Sequence, residues 1–280
     1  DSGSGPRNAC QRCGGRGRGV MGESPCGETV RKLVCGKRVD SIIWIQPPVP
    51  VKRFWERSLL FWPAKSVSPA CFLTARALEQ IKNDVCYSDN PVKLIGISAG
   101  VSYGALGSTH HSLHDYAVLR AINNITIIAP ADNFETAEAI CQAAAMDSPV
   151  YIRFGKKNMP EKIEEVELPT SFEVGKGRVV KEGSNLTFIA TGEAVWPCLQ
   201  AAQKLAEEHQ ISATVVSMHT IKPLDAALVL ELAEKTQAII TVEEHMVNGG
   251  LGEACASLLL QSGYHKPFKI MGIPDEYTVT

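Results

Sequence analysis

The feature that most restricts the fold is a regular alternation of apolar helices and strands from Cys71 onward. The stretch "CFLTARALEQIKNDV" places four apolar side chains on one helical face: Cys71, Leu78, Ile81 and Val85. The next stretch, "VKLIGIS", has the continuous apolar character of a buried strand. Because such alternation is typical of parallel sheets covered by helices on both faces, the predicted fold class is α/β.

The alternation continues down the chain and divides it into two parts. Strands are expected in "ITIIAP", "VYIRF", "LTFIAT", "ATVVSM", "AIITVEE" and "FKIMGIP", and helices over 113–122, 133–146, 194–209, 226–235 and 252–261. The stretch "NMPEKIEEVELPT" at 158–170 carries two prolines and little periodicity, as linkers do. We therefore predict two consecutive domains, 70–157 and 171–280, each a mostly parallel sheet flanked by helices.

The N-terminal quarter, residues 1–69, differs in composition. Residues 1–70 hold twelve Lys and Arg against five Asp and Glu, together with three of the four Trp. Since no period of 2 or 3.6 is sustained there, we expect an irregular segment. Its CxxC spacing suits a zinc-bound thiolate pair, but a second close pair is missing. A zinc site and an unstructured segment both stay open for four residues: Cys10, Cys13, Cys26 and Cys35.

Charge and composition restrict the class of protein. The formal net charge is −2, and no run of eighteen apolar residues is present, so neither nucleic acid nor a membrane is an expected partner. The start of the sequence lacks the apolar core of a signal peptide. Nine cysteines at irregular spacings fit reduced thiols better than a disulfide framework. The expected location is the cytoplasm.

The stretch "GALGSTHHSLHD" at 104–115 groups three of the seven histidines. A zinc site would use His110 and His114 on one helical turn with a third ligand. Alternatively, Thr109 or Ser112 caps the next helix and the imidazoles are polar turn residues. In a third interpretation the glycines let the backbone approach a substrate at a helix N-terminus. Residue types alone leave the three open.

A family resemblance favours the third interpretation. The stretch "AGVSYGALGSTHHSLHDYAVLRAINNITIIAPAD", with "FLTARALEQIKN" before it and "SPVYIRFGKKNMP" after it, resembles the pyrimidine-binding domain of transketolases. Three later stretches resemble the C-terminal domain that transketolases share with deoxyxylulose phosphate synthases and the beta subunits of 2-oxoacid dehydrogenases: "GKGRVVKEGSNLTFIATG", "VVSMHTIKPLD" and "TVEEHMVNGGLGEA". The resemblance runs from about residue 70 to 276.

The resemblance implies a cofactor and a partner. Family members use thiamine diphosphate, whose diphosphate and Mg²⁺ are held by a Gly-Asp-Gly…Asn motif that does not occur in this sequence. The chain therefore resembles the C-terminal subunit of a split transketolase, with the cofactor shared with an N-terminal subunit that holds the Mg²⁺. Sugar phosphates are the implied substrates, and homodimerisation through the C-terminal domain is the implied assembly.

The resemblance also implies site residues. Phe72 lies off the apolar stripe of its helix and matches an aromatic that contacts the aminopyrimidine, although a core or interface role stays open. Arg76 shares that side of the helix and joins the cofactor-binding set. His110 matches a substrate-facing histidine with a catalytic role. Lys156 matches a phosphate-binding Arg, with a solvated surface lysine as the alternative, and Gly107 completes the substrate-binding set.

Two departures from the family pattern raise doubts about activity. Leu106 stands where an acidic residue is expected, so substrate preference is expected to differ. A glutamate that promotes ylid formation has no counterpart in residues 40–70. The peptide 61–66, read one base out of register, permits Leu-Ala-Gly-Lys-Ile, which resembles the family's sequence before this helix. We hypothesise that residues 1–69 are an out-of-frame translation.

The expected function is transfer of a two-carbon ketol unit from a ketose phosphate to an aldose phosphate, with this chain alone inactive. The alternatives are another thiamine enzyme subunit, related to deoxyxylulose phosphate synthase or a 2-oxoacid dehydrogenase, and a noncatalytic dimerisation chain. In the second domain, His219 and His245 are expected to be structural. Gly249 and Gly250 are expected to form a helix-entry turn, with anion binding as the alternative.

Overall fold

The computed structural model describes residues 65–163 and 171–277, and the backbone of residues 43–44. The remaining residues include the four N-terminal cysteines, nearly all of the proposed out-of-frame segment, and part of the predicted linker. Within the described residues, no helix combines the length and apolar character needed to cross a bilayer.

Two sheets organise the described residues, and both are mostly parallel. The strands of the first sheet, in spatial order, are β1 (Ile43–Trp44), β2 (Lys65–Pro69), β3 (Lys93–Ile97), β5 (Val150–Arg153), β4 (Thr126–Ile128) and β9 (Thr220–Lys222). The strands of the second are β11 (Phe268–Ile273), β10 (Ala238–Met246), β7 (Leu186–Ala190), β8 (Ala213–Ser217) and β6 (Arg178–Lys181). Only β4 with β9 and β6 with β8 pair in antiparallel orientation.

Helices alternate with these strands, as the periodicity predicts. In chain order they are α1 (Ala70–Arg76), α2 (Leu78–Gln80), α3 (Asp115–Arg120), α4 (Asn133–Ala145), α5 (Val195–His209), α6 (Ala226–Lys235) and α7 (Leu251–Gln261). The predicted α/β class is confirmed. The first predicted helix is not continuous, because α1 ends at Arg76 and α2 leads directly into a wider π-helical turn at Ile81–Tyr87.

The first sheet extends further along the chain than the sequence predicts. Strand β2 lies inside the segment predicted to be irregular, and all five of its residues pair with β3. Its "KSVSP" sequence has little apolar character, yet Ser66 and Ser68 are buried. The pairing of β2 depends on the strands on either side of it, and the sequence of β2 itself does not reveal those partners.

Strand β9 belongs to the second half of the chain but pairs with β4 in the first sheet. The largest buried apolar cluster likewise combines both halves, with Leu119 and Tyr151 from the first and Val229 and Leu251 from the second. The two predicted domains therefore share a sheet edge and a core.

A buried ion-pair network fixes the contact between the halves. Asp132 begins α4 by accepting a hydrogen bond from the Glu135 backbone nitrogen at 2.7 Å. Arg178 on β6 then reaches both carboxylates, with its Nη2 2.6 Å from Asp132 and its Nε 2.8 Å from Glu135. All three side chains are buried. The predicted pair of Asp132 and Glu135 is present at the start of α4, and both carboxylates bind Arg178 from the other half of the chain.

The described part of the predicted linker packs against the same helix end. The backbone nitrogen of Asn133 donates to Pro160 O at 3.0 Å, and that of Ile163 donates to Asp132 Oδ2 at 2.8 Å. Ile163 is fully buried. Residues 160–163 are thus part of the folded contact around α4.

We predict that Arg178→Met lowers the free energy of unfolding by about 3–5 kcal/mol, because it leaves two buried carboxylates without their cation. Urea unfolding followed by circular dichroism measures the change. Lys204→Met, on the exposed face of α5, is the matched control and is expected to shift stability by less than about 0.5 kcal/mol. Equal effects of the two substitutions would contradict the assignment.

Candidate functional site

The glycine-rich loop after β3 is closed by backbone pairing. Gly100 N donates to Ser112 O at 3.1 Å, and Ser112 N donates to Gly100 O at 2.9 Å. A short 3-10 turn at Gly104–Leu106 projects from this closed loop, and Gly107 follows it with φ +71° and ψ −169°. Because side chains other than hydrogen are strained in that conformation, Gly107 is required by the shape of the loop.

The loop brings together the residues that the sequence analysis selected. The rings of Phe72 and His110 meet edge to face, with centroids 5.3 Å apart. The Arg76 guanidinium carbon lies 4.5 Å from the centroid of the Phe72 ring. Gly107 contributes through its backbone, since its carbonyl accepts a hydrogen bond from His110 N at 3.0 Å. Helix α1 and the loop therefore form one surface.

Tyr103 joins this surface and was missed by the sequence analysis. Its ring meets His110 edge to face at 5.5 Å, and the Lys156 Nζ lies 5.3 Å from its ring centroid. Lys156 follows β5 in the chain, and its contact with Tyr103 places its ammonium at the surface formed by α1 and the loop. The position of Tyr103 inside a glycine-rich loop was the available signal. Such a loop has few side chains that could bury an aromatic ring, so the ring is free to contact a neighbouring element or a ligand.

The three loop histidines point to different partners. Thr109 Oγ1 lies 3.0 Å from His110 Nδ1, and Thr74 Oγ1 lies 3.4 Å from His114 Nε2. His111 is buried. Throughout the described ranges, no cluster of three or more His, Cys, Asp or Glu side chains has the arrangement of a metal site. Helix α3 begins after His114 without a side-chain cap, so the capping interpretation of Thr109 and Ser112 is wrong.

Two carboxyl groups from the second half lie beneath the loop. Glu244 Oε1 accepts a hydrogen bond from Val101 N at 2.8 Å. A Cβ on Gly100 would lie 2.1 Å from Glu244, and one on Gly155 would lie 1.8 Å from Glu193. The carboxyl groups therefore lie against the backbone at both glycines, and Gly100 also has φ +63°, a conformation that favours glycine.

The surroundings of Glu193 change the ionisation of its carboxyl group. Burial, followed by the negative charge of Glu244 and a hydrogen bond with it, raises the pKa of Glu193 to about 7. Arg153 and Lys157 act in the opposite direction without cancelling the rise. Glu193 is therefore partly protonated near neutral pH.

Two of the four histidines in the second half, His219 and His245, are buried and stacked on aromatic rings. His219 stacks on Phe172 with centroids 4.1 Å apart, and His245 stacks on Tyr116 at 4.9 Å. Burial lowers the pKa of His219 to about 3, with a further contribution from Arg178. Burial also lowers the pKa of His245 to about 4. Both are neutral packing residues near pH 7, in line with their expected structural role.

The glycine pair before α7 forms the expected helix-entry turn. Glu243 accepts hydrogen bonds from Leu251 N at 2.7 Å and Gly252 N at 2.8 Å. Arg120 donates to the carbonyls of Gly249 and Gly250. Because a carboxylate of the chain already occupies the amides of this helix start, the anion-binding alternative for the glycine pair is wrong.

The surface formed by α1 and the loop fits an aromatic heterocycle. Phe72, Tyr103 and His110 are each half-buried, so their rings remain partly accessible. A Cβ on Gly104 or Gly107 would meet no atom within 4 Å, so the loop is open at both glycines. Aromatic edges, aromatic faces and a guanidinium are the groups that bind a flat heterocycle.

Comparisons with known proteins identify the family. Residues 68–162 match the family described as "Transketolase, pyrimidine binding domain", and residues 175–279 match "Transketolase, C-terminal domain". A protein of Actinobacillus succinogenes, named as one of the subunits of an apulose-4-phosphate transketolase, is 38% identical over 212 residues, covering 76% of this chain and 67% of that protein. The chain belongs to the transketolase family. The family prediction is confirmed.

A second curated relative and a solved structure are also similar to this chain. A Phocaeicola vulgatus protein, also named as an apulose-4-phosphate transketolase subunit, is 44% identical over 211 residues, covering 75% of this chain and 66% of that protein. The chain thus spans about two thirds of the length of these curated relatives. A solved structure titled "Split gene transketolase, inactive beta4 tetramer" has 30% identity and a TM-score of 0.71, covering 89% of this chain and 88% of its own.

The raised pKa of Glu193 predicts a difference in stability with pH. Because the folded pKa of Glu193 lies above the ordinary value of 4.5, its contribution is greatest below pH 4.5 and is lost as pH rises through 7. Glu193→Gln removes this loss. Relative to wild type, the variant is expected to gain stability as pH rises from 4.5 to 7.5.

Urea unfolding of both proteins at half-unit pH intervals measures this difference and cancels the contributions of His219 and His245. Glu207→Gln, on the exposed face of α5, is the matched control and is expected to show no such trend. A constant difference between the Glu193 variant and wild type across this range would refute the raised pKa of Glu193.

Proposed function

We propose that this transketolase-family chain is the C-terminal subunit of a split transketolase that transfers a two-carbon ketol unit between sugar phosphates. The observation that carries the proposal is the single surface on which Phe72, Arg76, His110 and, through Tyr103, Lys156 meet. The names of the Actinobacillus and Phocaeicola relatives support the split arrangement and make apulose 4-phosphate the first substrate to test.

In this proposal Phe72 and Arg76 contact the pyrimidine of thiamine diphosphate, which supplies the carbanion stabilisation that ketol transfer requires. The N-terminal subunit holds the diphosphate and Mg²⁺. Arg76 lies over the face of the Phe72 ring and holds that ring in place, and the half-buried Phe72 would shield one side of the pyrimidine from water.

His110 has the position and chemistry for binding and proton transfer. The Thr109 hydroxyl lies 3.0 Å from its Nδ1, while Phe72 and Tyr103 hold the ring from two sides. We assign Nε2 to a substrate hydroxyl, because a neutral imidazole with one nitrogen engaged donates or accepts through the other. Lys156 supplies a point charge for the phosphate, and Gly107 leaves space for the sugar chain.

Reconstitution with an N-terminal transketolase subunit tests the proposal. The co-expressed pair, supplied with thiamine diphosphate and Mg²⁺, is expected to transfer a ketol unit from apulose 4-phosphate to an aldose phosphate, and the chain alone is expected to be inactive. Activity that depends on pyruvate would select a deoxyxylulose phosphate synthase or dehydrogenase subunit instead. A stable complex that is silent with all these substrates would select the noncatalytic dimerisation chain.

His110→Ala is predicted to lower kcat/KM for ketol transfer by about 10²-fold or more, because it removes a positioned acid or base. Steady-state kinetics of the reconstituted pair measures the loss, and circular dichroism checks that the variant folds. His209→Ala, at the exposed end of α5, is the matched control and is expected to match wild type. A loss below about threefold in the His110 variant would remove its catalytic assignment.

A further inference from the structure

Tyr103 links two groups of the candidate site that do not adjoin in sequence. The edge contact with His110 engages one side of the ring, at a centroid distance of 5.5 Å and an interplanar angle of 65°. The ammonium of Lys156 lies over the ring at 5.3 Å from its centroid. The ring therefore stands between the imidazole and the cation.

The backbone around Tyr103 is fixed at several points. Gly104 N donates to Val101 O at 2.9 Å, and Leu106 N donates to Tyr103 O at 3.3 Å. Val101 N is in turn bound to the Glu244 carboxylate from the second half of the chain. The backbone that carries Tyr103 is therefore held by hydrogen bonds within the loop and by Glu244 on β10, which limits the positions of the Tyr103 ring.

Lys156 by contrast has an exposed side chain that follows β5. A long lysine side chain loses rotamer freedom when it binds a phosphate, and that loss weakens binding. An aromatic face attracts an ammonium and restricts the positions it samples. A lysine already held over a ring therefore binds a phosphate with a smaller entropic loss than a free lysine.

We propose that Tyr103 is a positioning and specificity-determining residue, whose ring holds the Lys156 ammonium at a set place relative to His110 and thereby favours phosphorylated substrates. The idea deepens the proposed function and rests on it for the reaction. It also makes a claim about binding by the chain alone. The ligand class is a short sugar with a terminal phosphate.

The first test compares Tyr103→Leu with Tyr103→Phe in the reconstituted pair. Loss of the ring is expected to raise the KM for apulose 4-phosphate about two- to fivefold, the range that an exposed cation–π contact supplies. The kcat is expected to change less than about twofold, because Phe72 still contacts His110. Tyr103→Phe retains the ring and is expected to restore the KM. Tyr87→Leu, at a tyrosine that is 89% exposed after α2, is the matched control.

The second test asks whether Tyr103 acts through Lys156. In a Lys156→Met background, Tyr103→Leu is expected to have no further effect on the KM for apulose 4-phosphate. The KM for unphosphorylated apulose is expected to be the same in wild type, in Tyr103→Leu, in Lys156→Met and in the double variant. Additive effects of the two substitutions, or an equal rise in KM for both sugars, would show that Tyr103 has only a packing role and would overturn the proposal.

A binding measurement separates this proposal from the proposed function. Apulose 4-phosphate and apulose are titrated into the isolated chain and followed by NMR. The phosphorylated sugar is expected to bind more tightly, and Tyr103→Leu is expected to abolish that preference. If this holds while the reconstituted pair is inactive, the proposed function fails and the role of Tyr103 stands. If wild type shows no preference for the phosphorylated sugar, the role of Tyr103 is refuted even in an active enzyme.

Discussion

The candidate site depends on the buried guanidinium of Arg153. Its Nε donates to Asp115 Oδ2 at 2.9 Å, and its Nη2 donates to the carbonyls of Ser112 at 3.2 Å and Glu244 at 2.8 Å. Burial alone would lower the pKa of Arg153, but Asp115 and other neighbours raise it, so the charge is retained. One planar group thus joins β5, the end of the glycine-rich loop, the start of α3 and β10, which is why the loop has a defined shape.

A second interaction acts on the other end of the loop and reduces stability. Glu244 lies against Gly100 and Glu193 lies against Gly155, and burial together with the charge of Glu244 raises the pKa of Glu193. A pair of like groups is a poor choice for a core, yet Glu244 also binds the backbone of the loop at Val101. The proximity of Glu193 and Glu244 lowers the stability of the fold, while the hydrogen bond from Val101 to Glu244 holds the loop in place. Functional sites commonly combine such a cost with such a constraint.

The sequence predicted features that are local or that repeat along the chain. Helical and strand periods gave the α/β class, and the spacing of Asp132 and Glu135 gave the start of α4. The role of Arg178 as their partner depends on a contact 43 residues away, for which no local pattern exists. Phe72 and His110 were selected together because a family resemblance carries long-range information. Tyr103 was missed, because its importance comes from spatial neighbours that the loop sequence does not reveal.

The exposure of the site residues is itself informative about assembly. A ring gains most of its hydrophobic stabilisation when it is fully covered, yet Phe72, Tyr103 and His110 are only half-buried, and Leu106 beside them is 55% exposed. Contacts from residues 65–163 and 171–277 do not complete this cover, although Arg153 and Glu244 hold the backbone of the loop in place. Partly exposed rings on a fixed backbone suit a site that a ligand and a second polypeptide cover. Binding would then bury the apolar ring surface that folding leaves exposed.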